Sequence, residues 1–253
     1  MKEEIKAVRR YSNKPVTTNG MCTYPGLNYA KFAKELDFFS QDIYPEWHNG
    51  TKNTAQMLGL ACDYTRSLKN GKPFIVMESA PGAVCSGVNF RKVKSGQHQI
   101  LEAIKYISHG ADSTMYFQWR KGRGASEKFH GAIVDHYGKS DTRVFKTISE
   151  IGEILKKLDG VVGSEINSEV AITFDTENWW ALGMLPPSTH DNGYLDTVSA
   201  YYNAFADKNI QTDVIGYDED FSKYKLVILT APYLMNQQLA DKIKDYVKKG
   251  ISS

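Results

Sequence analysis

The chain has 253 residues, enough for one large domain or two, and its 42% apolar and 24% charged content is an ordinary globular balance. A net charge of +2 with only short basic runs excludes the clustered basic face that nucleic acid requires. No apolar run reaches the ~18 residues of a membrane span, the charged segment 1–10 lacks a signal-peptide core, and the three cysteines (Cys22, Cys62, Cys85) are scattered; the expectation is reduced thiols in a cytoplasmic protein.

In chain order, residues 14–19 and 36–44 read as strands and 54–68 as a helix. Residues 74–78 form a short, apolar strand, and 97–109 a helix with Ile100, Ala103, Ile104 and Ile107 along one face. A strand over 114–119 and an amphipathic helix over 144–158 follow. Strands alternating with helices predict parallel β/α units. The pattern then restarts, with strands at 169–174, 212–215 and 226–230 and helices at 197–207 and 236–249, a doubly wound α/β arrangement. Segment 160–164 separates the halves, which gives domains over 1–160 and 164–253.

The predicted strands of the first half end in polar residues: Thr18-Asn19, Asp42 and then Tyr44, Glu78-Ser79, and Gln118-Trp119-Arg120. Carboxylates and amides at the C-terminal ends of consecutive parallel strands are how a β/α barrel builds an active site. Glu78 ends a wholly apolar strand, so its carboxylate is fixed on a rigid element, as a nucleophile must be. Local sequence alone leaves a capping or surface glutamate open for Glu78, and favours a satisfied core histidine for His130. A metal site built from Glu127, His130, Asp135 and His136 is disfavoured, because these residues lie in a loop without a two-histidine helical motif. No metal and no cofactor are expected.

The run Phe74-Ile75-Val76-Met77-Glu78 through Pro81 resembles the nucleophile strand of glycoside hydrolase family 42. So do Gly110-Ala111-Asp112, Phe117-Gln118-Trp119-Arg120, and Glu127-Lys128-Phe129-His130-Gly131-Ala132. Thr17-Thr18-Asn19 and Asp42-Ile43-Tyr44-Pro45 resemble earlier barrel strands of that family, while Trp179-Trp180-Ala181-Leu182 and Tyr224-Lys225-Leu226-Val227 resemble its second domain.

The resemblance implies a partial (β/α)8 TIM barrel, about strands five to eight. A doubly wound, Rossmann-like domain of the glutamine-amidotransferase type follows, which builds a homotrimer in this family. It implies a retaining β-galactosidase acting on terminal β-D-galactosides, with Glu78 as nucleophile. By the same resemblance Glu127 and His130 contact galactose hydroxyls, their spacing placing both on one side of a helical turn. Asn19, Asp42, Tyr44, Trp119 and Arg120 line the substrate site. Phe90 departs from the family, which has a tryptophan platform after Val-Asn.

The family's general acid follows an asparagine in an Asn-Glu pair, and this sequence contains no such pair. The expectation is therefore a fragment whose first four barrel strands lie upstream of Met1, inactive alone. Two other readings stay open: a non-catalytic assembly module, and a barrel glycosidase of different sugar preference. An amidotransferase is excluded, because all three cysteines precede residue 90 and the second half has no thiol nucleophile.

Overall fold

The computed structural model describes residues 1–21, 23–86, 89–185 and 193–250, with the backbone alone at 86, 89 and 90. Cys22 and the Phe90 side chain thus lie outside the described residues.

The first half runs α1 (Lys2–Arg9), β1 (Asn19–Gly20), α2 (Tyr29–Ala33), β2 (Ser40–Asp42), α3 (Thr51–Ser67), β3 (Phe74–Glu78), β4 (Cys85–Ser86), β5 (Asn89–Phe90), α4 (Gly96–Ser108), β6 (Ala111–Thr114) and α5 (Arg143–Lys157). The second half runs β7 (Val170–Thr173), α6 (Thr176–Gly183), α7 (Tyr194–Ala206), β8 (Thr212–Ile215), β9 (Leu226–Ile228) and α8 (Gln237–Gly250).

A four-stranded parallel sheet carries the first half in the order β1-β2-β3-β6, with β4 and β5 a small antiparallel pair after β3. Sequential parallel strands joined by helices are the wall of a β/α barrel. The second sheet is parallel in the order β8-β7-β9, the central-strand-first arrangement of a doubly wound domain.

Helix α3 joins the two halves, and its sequence shows why. Leu58 and Cys62 pack with Phe74, Val76 and Tyr106 of the first half. Leu60 and Tyr64 pack with Ile172, Phe174 and Val198 of the second. Residues four apart share a helix face, so α3 presents one apolar face to each sheet and is buried almost all round from Leu58 to Ser67.

Three predicted strands are corrected. Over 14–19 only Asn19 pairs; the rest is held by side chains, with Asp37 accepting from the Val16 amide (2.5 Å) and Thr17 Oγ1 donating to the Phe38 carbonyl (2.9 Å). Of 36–44 only Ser40–Asp42 is strand, because Leu36 follows α2 in a turn and packs with Tyr29, Ala33 and Phe39. The strand expected at 114–119 lies earlier, at Ala111–Thr114, where polar Asp112, Ser113 and Thr114 hide it from an apolar-run reading. Gly110 turns into this strand with φ of 94°. Trp179 and Trp180 lie in α6, a helix that the apolar pattern does not mark, which Asp175 caps by accepting from the Asn178 amide (2.7 Å).

Candidate active site

Glu78 sits at the C-terminal tip of β3, partly buried, where Tyr44 Oη donates to its Oε2 at 2.5 Å. Burial, and after it the Glu78 carboxylate, hold the Tyr44 phenol above its ordinary pKa, so it stays a donor. On the neighbouring strand Asp42 stands in register with Glu78. Asn19 Nδ2, from β1, donates to Asp42 Oδ2 at 2.5 Å. The Asp42 carboxyl is pushed up to about 6, first by burial and then by Glu78, against the Asn19 hydrogen bond. Three consecutive strands therefore deliver Asn19, Asp42 with Tyr44, and Glu78 to one place.

His130 completes the group from the far side. It is buried, with its ring edge-on to Tyr44 (centroids 6.0 Å apart) and to Phe117 (5.1 Å). Its Nδ1 lies 3.1 Å from the Gly131 carbonyl oxygen, and since a carbonyl only accepts, Nδ1 carries the hydrogen. Glu127 is exposed and lies near enough to raise the Tyr44 phenol further. The helical turn expected at 127–130 is an isolated turn, closed by the His130 amide donating to the Glu127 carbonyl at 2.9 Å.

Trp119 is 63% exposed, and Arg120 is also exposed, its backbone forming a bridge with Val134. Among the described residues neither makes a hydrogen bond or ring contact with Glu78. Trp47 is a core residue, 3% exposed, stacked on His98. His136 directs Nε2 to the Gly122 carbonyl (2.6 Å), away from any shared ligand position with His130. Among the described residues no group of three or more His, Cys, Asp or Glu side chains has metal-holding geometry, and no helix is long and apolar enough to cross a membrane.

The support behind Glu78 comes from residues that no local sequence pattern marks. Ser79 donates its amide to the Met115 carbonyl (2.9 Å), accepts at its own carbonyl from the Phe117 amide (2.9 Å), and donates its hydroxyl to Glu102. Glu102 is buried with Lys94, whose ammonium lies 2.9 and 2.8 Å from the two carboxylate oxygens and also donates to the Ala80 carbonyl (3.1 Å). Gly131 lies so close to Gly82 that a Cβ there would come within 2.8 Å of backbone, and its amide donates to Ala83 (2.7 Å). This glycine-to-glycine contact ties the loop carrying His130 to the loop after Glu78. The spacing of Gly82 and Gly131 in the chain gave no sign of it. A separate hollow of about 480 Å³, lined by Asp63, Lys105, His109 and Tyr202, lies between α3, α4 and α7.

A parallel β/α wall with a tyrosine-bonded glutamate, a second acid and a histidine at its strand tips is the arrangement of one part of a β/α-barrel site. The family model described as β-galactosidase matches residues 1–158, and the model described as β-galactosidase trimerisation domain matches residues 168–252. The chain belongs to the glycoside hydrolase family 42 β-galactosidases. It is 42% identical over 246 residues to β-galactosidase Pbg of Clostridium perfringens, covering 93% of this chain and 35% of that protein. It is 40% identical to β-galactosidase GanA of Bacillus subtilis, covering 93% of this chain and 36% of that protein. Among solved structures, the cold-adapted β-galactosidase from Rahnella sp. R3 superposes with a TM-score of 0.93 at 40% identity, over 98% of this chain and 37% of that one. The chain spans roughly a third of the length of the curated relatives it matches.

Proposed function

We propose that this chain supplies the nucleophile and part of the galactose pocket of a retaining β-galactosidase. The hydrogen bond from Tyr44 to Glu78 at the tip of β3 carries the reading, because it fixes one carboxylate oxygen and leaves the other for attack. In the first step Glu78 attacks the anomeric carbon and forms a galactosyl ester while the leaving oxygen takes a proton. In the second, water attacks that carbon and releases galactose. His130, Glu127, Asn19 and Asp42 are proposed to bind sugar hydroxyls. Trp119, Arg120 and Phe90 are proposed to line the rim.

The acid that protonates the leaving oxygen should stand about 5–5.5 Å from the nucleophile. The sequence contains no Asn-Glu pair to supply it. Loss of such a group forfeits about 10²–10⁴-fold in rate, so the chain alone should turn over negligibly. The domains proposed are 1–160 for the barrel part and 164–253 for a trimerisation module; the latter reading is supported by the matching family model. Light scattering on the purified chain checks the module, with three copies expected.

The catalytic reading is tested with nitrophenyl β-galactoside. The chain alone should be inactive, and a fusion to the preceding barrel segment of a relative such as GanA should be active and lose that activity with Glu78→Gln. Substantial turnover by the chain alone, or a fusion that keeps its activity with Glu78→Gln, overturns it.

A further inference from the structure

Asp42 and Glu78 end neighbouring strands, and the register of β2 on β3 sets them opposite one another. One oxygen of Asp42, Oδ2, accepts from Asn19 at 2.5 Å. The other, Oδ1, is buried and receives no hydrogen bond. A buried acceptor with no donor is costly. A protonated carboxyl removes that cost by becoming the donor, and the Glu78 carboxylate is the group that the strand register sets opposite Asp42.

Among the described residues, the groups recorded beside the pair are a phenol, a carboxylate, an imidazole and an amide. Tyr44, beyond β2, commits its hydroxyl to Glu78; past it stand the Glu127 carboxylate and the edge of His130. From β1 comes only the neutral amide of Asn19.

We propose that Asp42 is a positioning residue for the nucleophile, forming with Glu78 an acid–carboxylate pair that holds one proton and releases it to leave Glu78 unencumbered for attack. The proposal rests on the reading of Glu78 as nucleophile. While the proton is held, Asp42 donates to Glu78 and draws electron density from the oxygen that must attack. Once it is released, the Tyr44 bond to Oε2 leaves the second oxygen of Glu78 available. Burial and the neighbouring charge hold the Asp42 carboxyl at about 6, which places the exchange near neutrality instead of in strong acid. Asp42 therefore sets the acid side of the nucleophile's working range without touching the anomeric carbon.

The test is carboxyl-carbon NMR on the full chain labelled in Asp and Glu. The expected result is an Asp42 signal with a midpoint near 6 that falls in Glu78→Gln. An Asp42 midpoint in the ordinary aspartate range, or one that Glu78→Gln leaves in place, overturns the proposal. The wild-type titration needs no folded Asp42 variant.

A second arm separates this proposal from the galactosidase reading. The rate at which an activated fluorogalactoside labels Glu78 is followed against pH in the wild type and in Asp42→Asn. An acid limb that moves to lower pH in the variant supports the pairing. Labelling with identical pH profiles refutes the pairing while the nucleophile stands. Absence of labelling in a wild type that shows the coupled titration refutes the nucleophile.

Discussion

Asp42 and Asp63 are both carboxylates withdrawn from water, and they differ in what stands beside them. Asp63, on α3, is 1% exposed and meets Arg66 Nη1 (2.5 Å), His109 Nδ1 (2.9 Å), Tyr202 Oη (2.5 Å) and Gln211 Nε2 (3.1 Å). Arg66 also reaches Asp213 on β8 at 2.6 Å, so the network crosses between the halves. Burial acts to raise the Asp63 carboxyl, but the surrounding donors and cations outweigh it and hold it below its ordinary value. Asp42 has an amide on one side and another carboxylate on the other, and its carboxyl rises. Asp63, whose network crosses between the halves, is given cations, whereas Asp42 at its strand tip meets an amide and a carboxylate.

Removing the cation from the compensated region should give the largest effect. Arg66→Met strands Asp63 and Asp213, and should cost about 3–5 kcal/mol in chemical denaturation. The Asp63 contribution also has a defined pH window. Its carboxyl is depressed in the folded chain, so its stabilisation is present above the ordinary value of 3.8 and disappears as pH falls through the lower folded value. A cost well below this range would mean that the network does not brace the two halves.

The uncompensated region should respond in the opposite sense. Asp42 rises from 3.8 to about 6, so the folded state loses stability as pH climbs between those values. Asp42→Asn removes that loss. The full displacement corresponds to about 3 kcal/mol, and for a half-exposed group about 1–2 kcal/mol is expected at pH about 8, vanishing near pH 3. Thermal melts at the two pH values check it. A variant that is destabilised at the higher pH would contradict the contrast with Asp63.

The smallest effect belongs to a pair outside both regions. Lys31 and Glu177 form an exposed bridge between α2 and α6. Lys31→Ala should leave the melting temperature unchanged, because exposed pairs are screened and hold long side chains at an entropic cost.

The sequence made some of this legible. The strand ending in Glu78 and the strand at 212–215 lie where expected, the first because it is a short apolar run bounded by turns. The strand β6 was placed too late, because its residues after Ala111 are polar and its apolar partners belong to β3 and α4. The Arg66–Asp213 bridge and the Gly82–Gly131 contact left no local trace, since each joins residues far apart in the chain. Asp42, Tyr44, Glu78 and His130 are brought together, while Trp119 stands exposed, since strand-end position says little about which way a side chain beyond the last ladder bond will face.

The most direct test of Glu78 as nucleophile is covalent trapping with a galactosyl fluoride carrying fluorine in place of its second hydroxyl. Fluoride leaves with little help from an acid, and the ring fluorine slows hydrolysis of the ester, so the adduct accumulates. Mass spectrometry of the digested chain should find one fluorogalactosyl group, on the peptide containing Glu78, and none in Glu78→Gln. Attachment to another residue, or the same adduct in Glu78→Gln, would contradict the account.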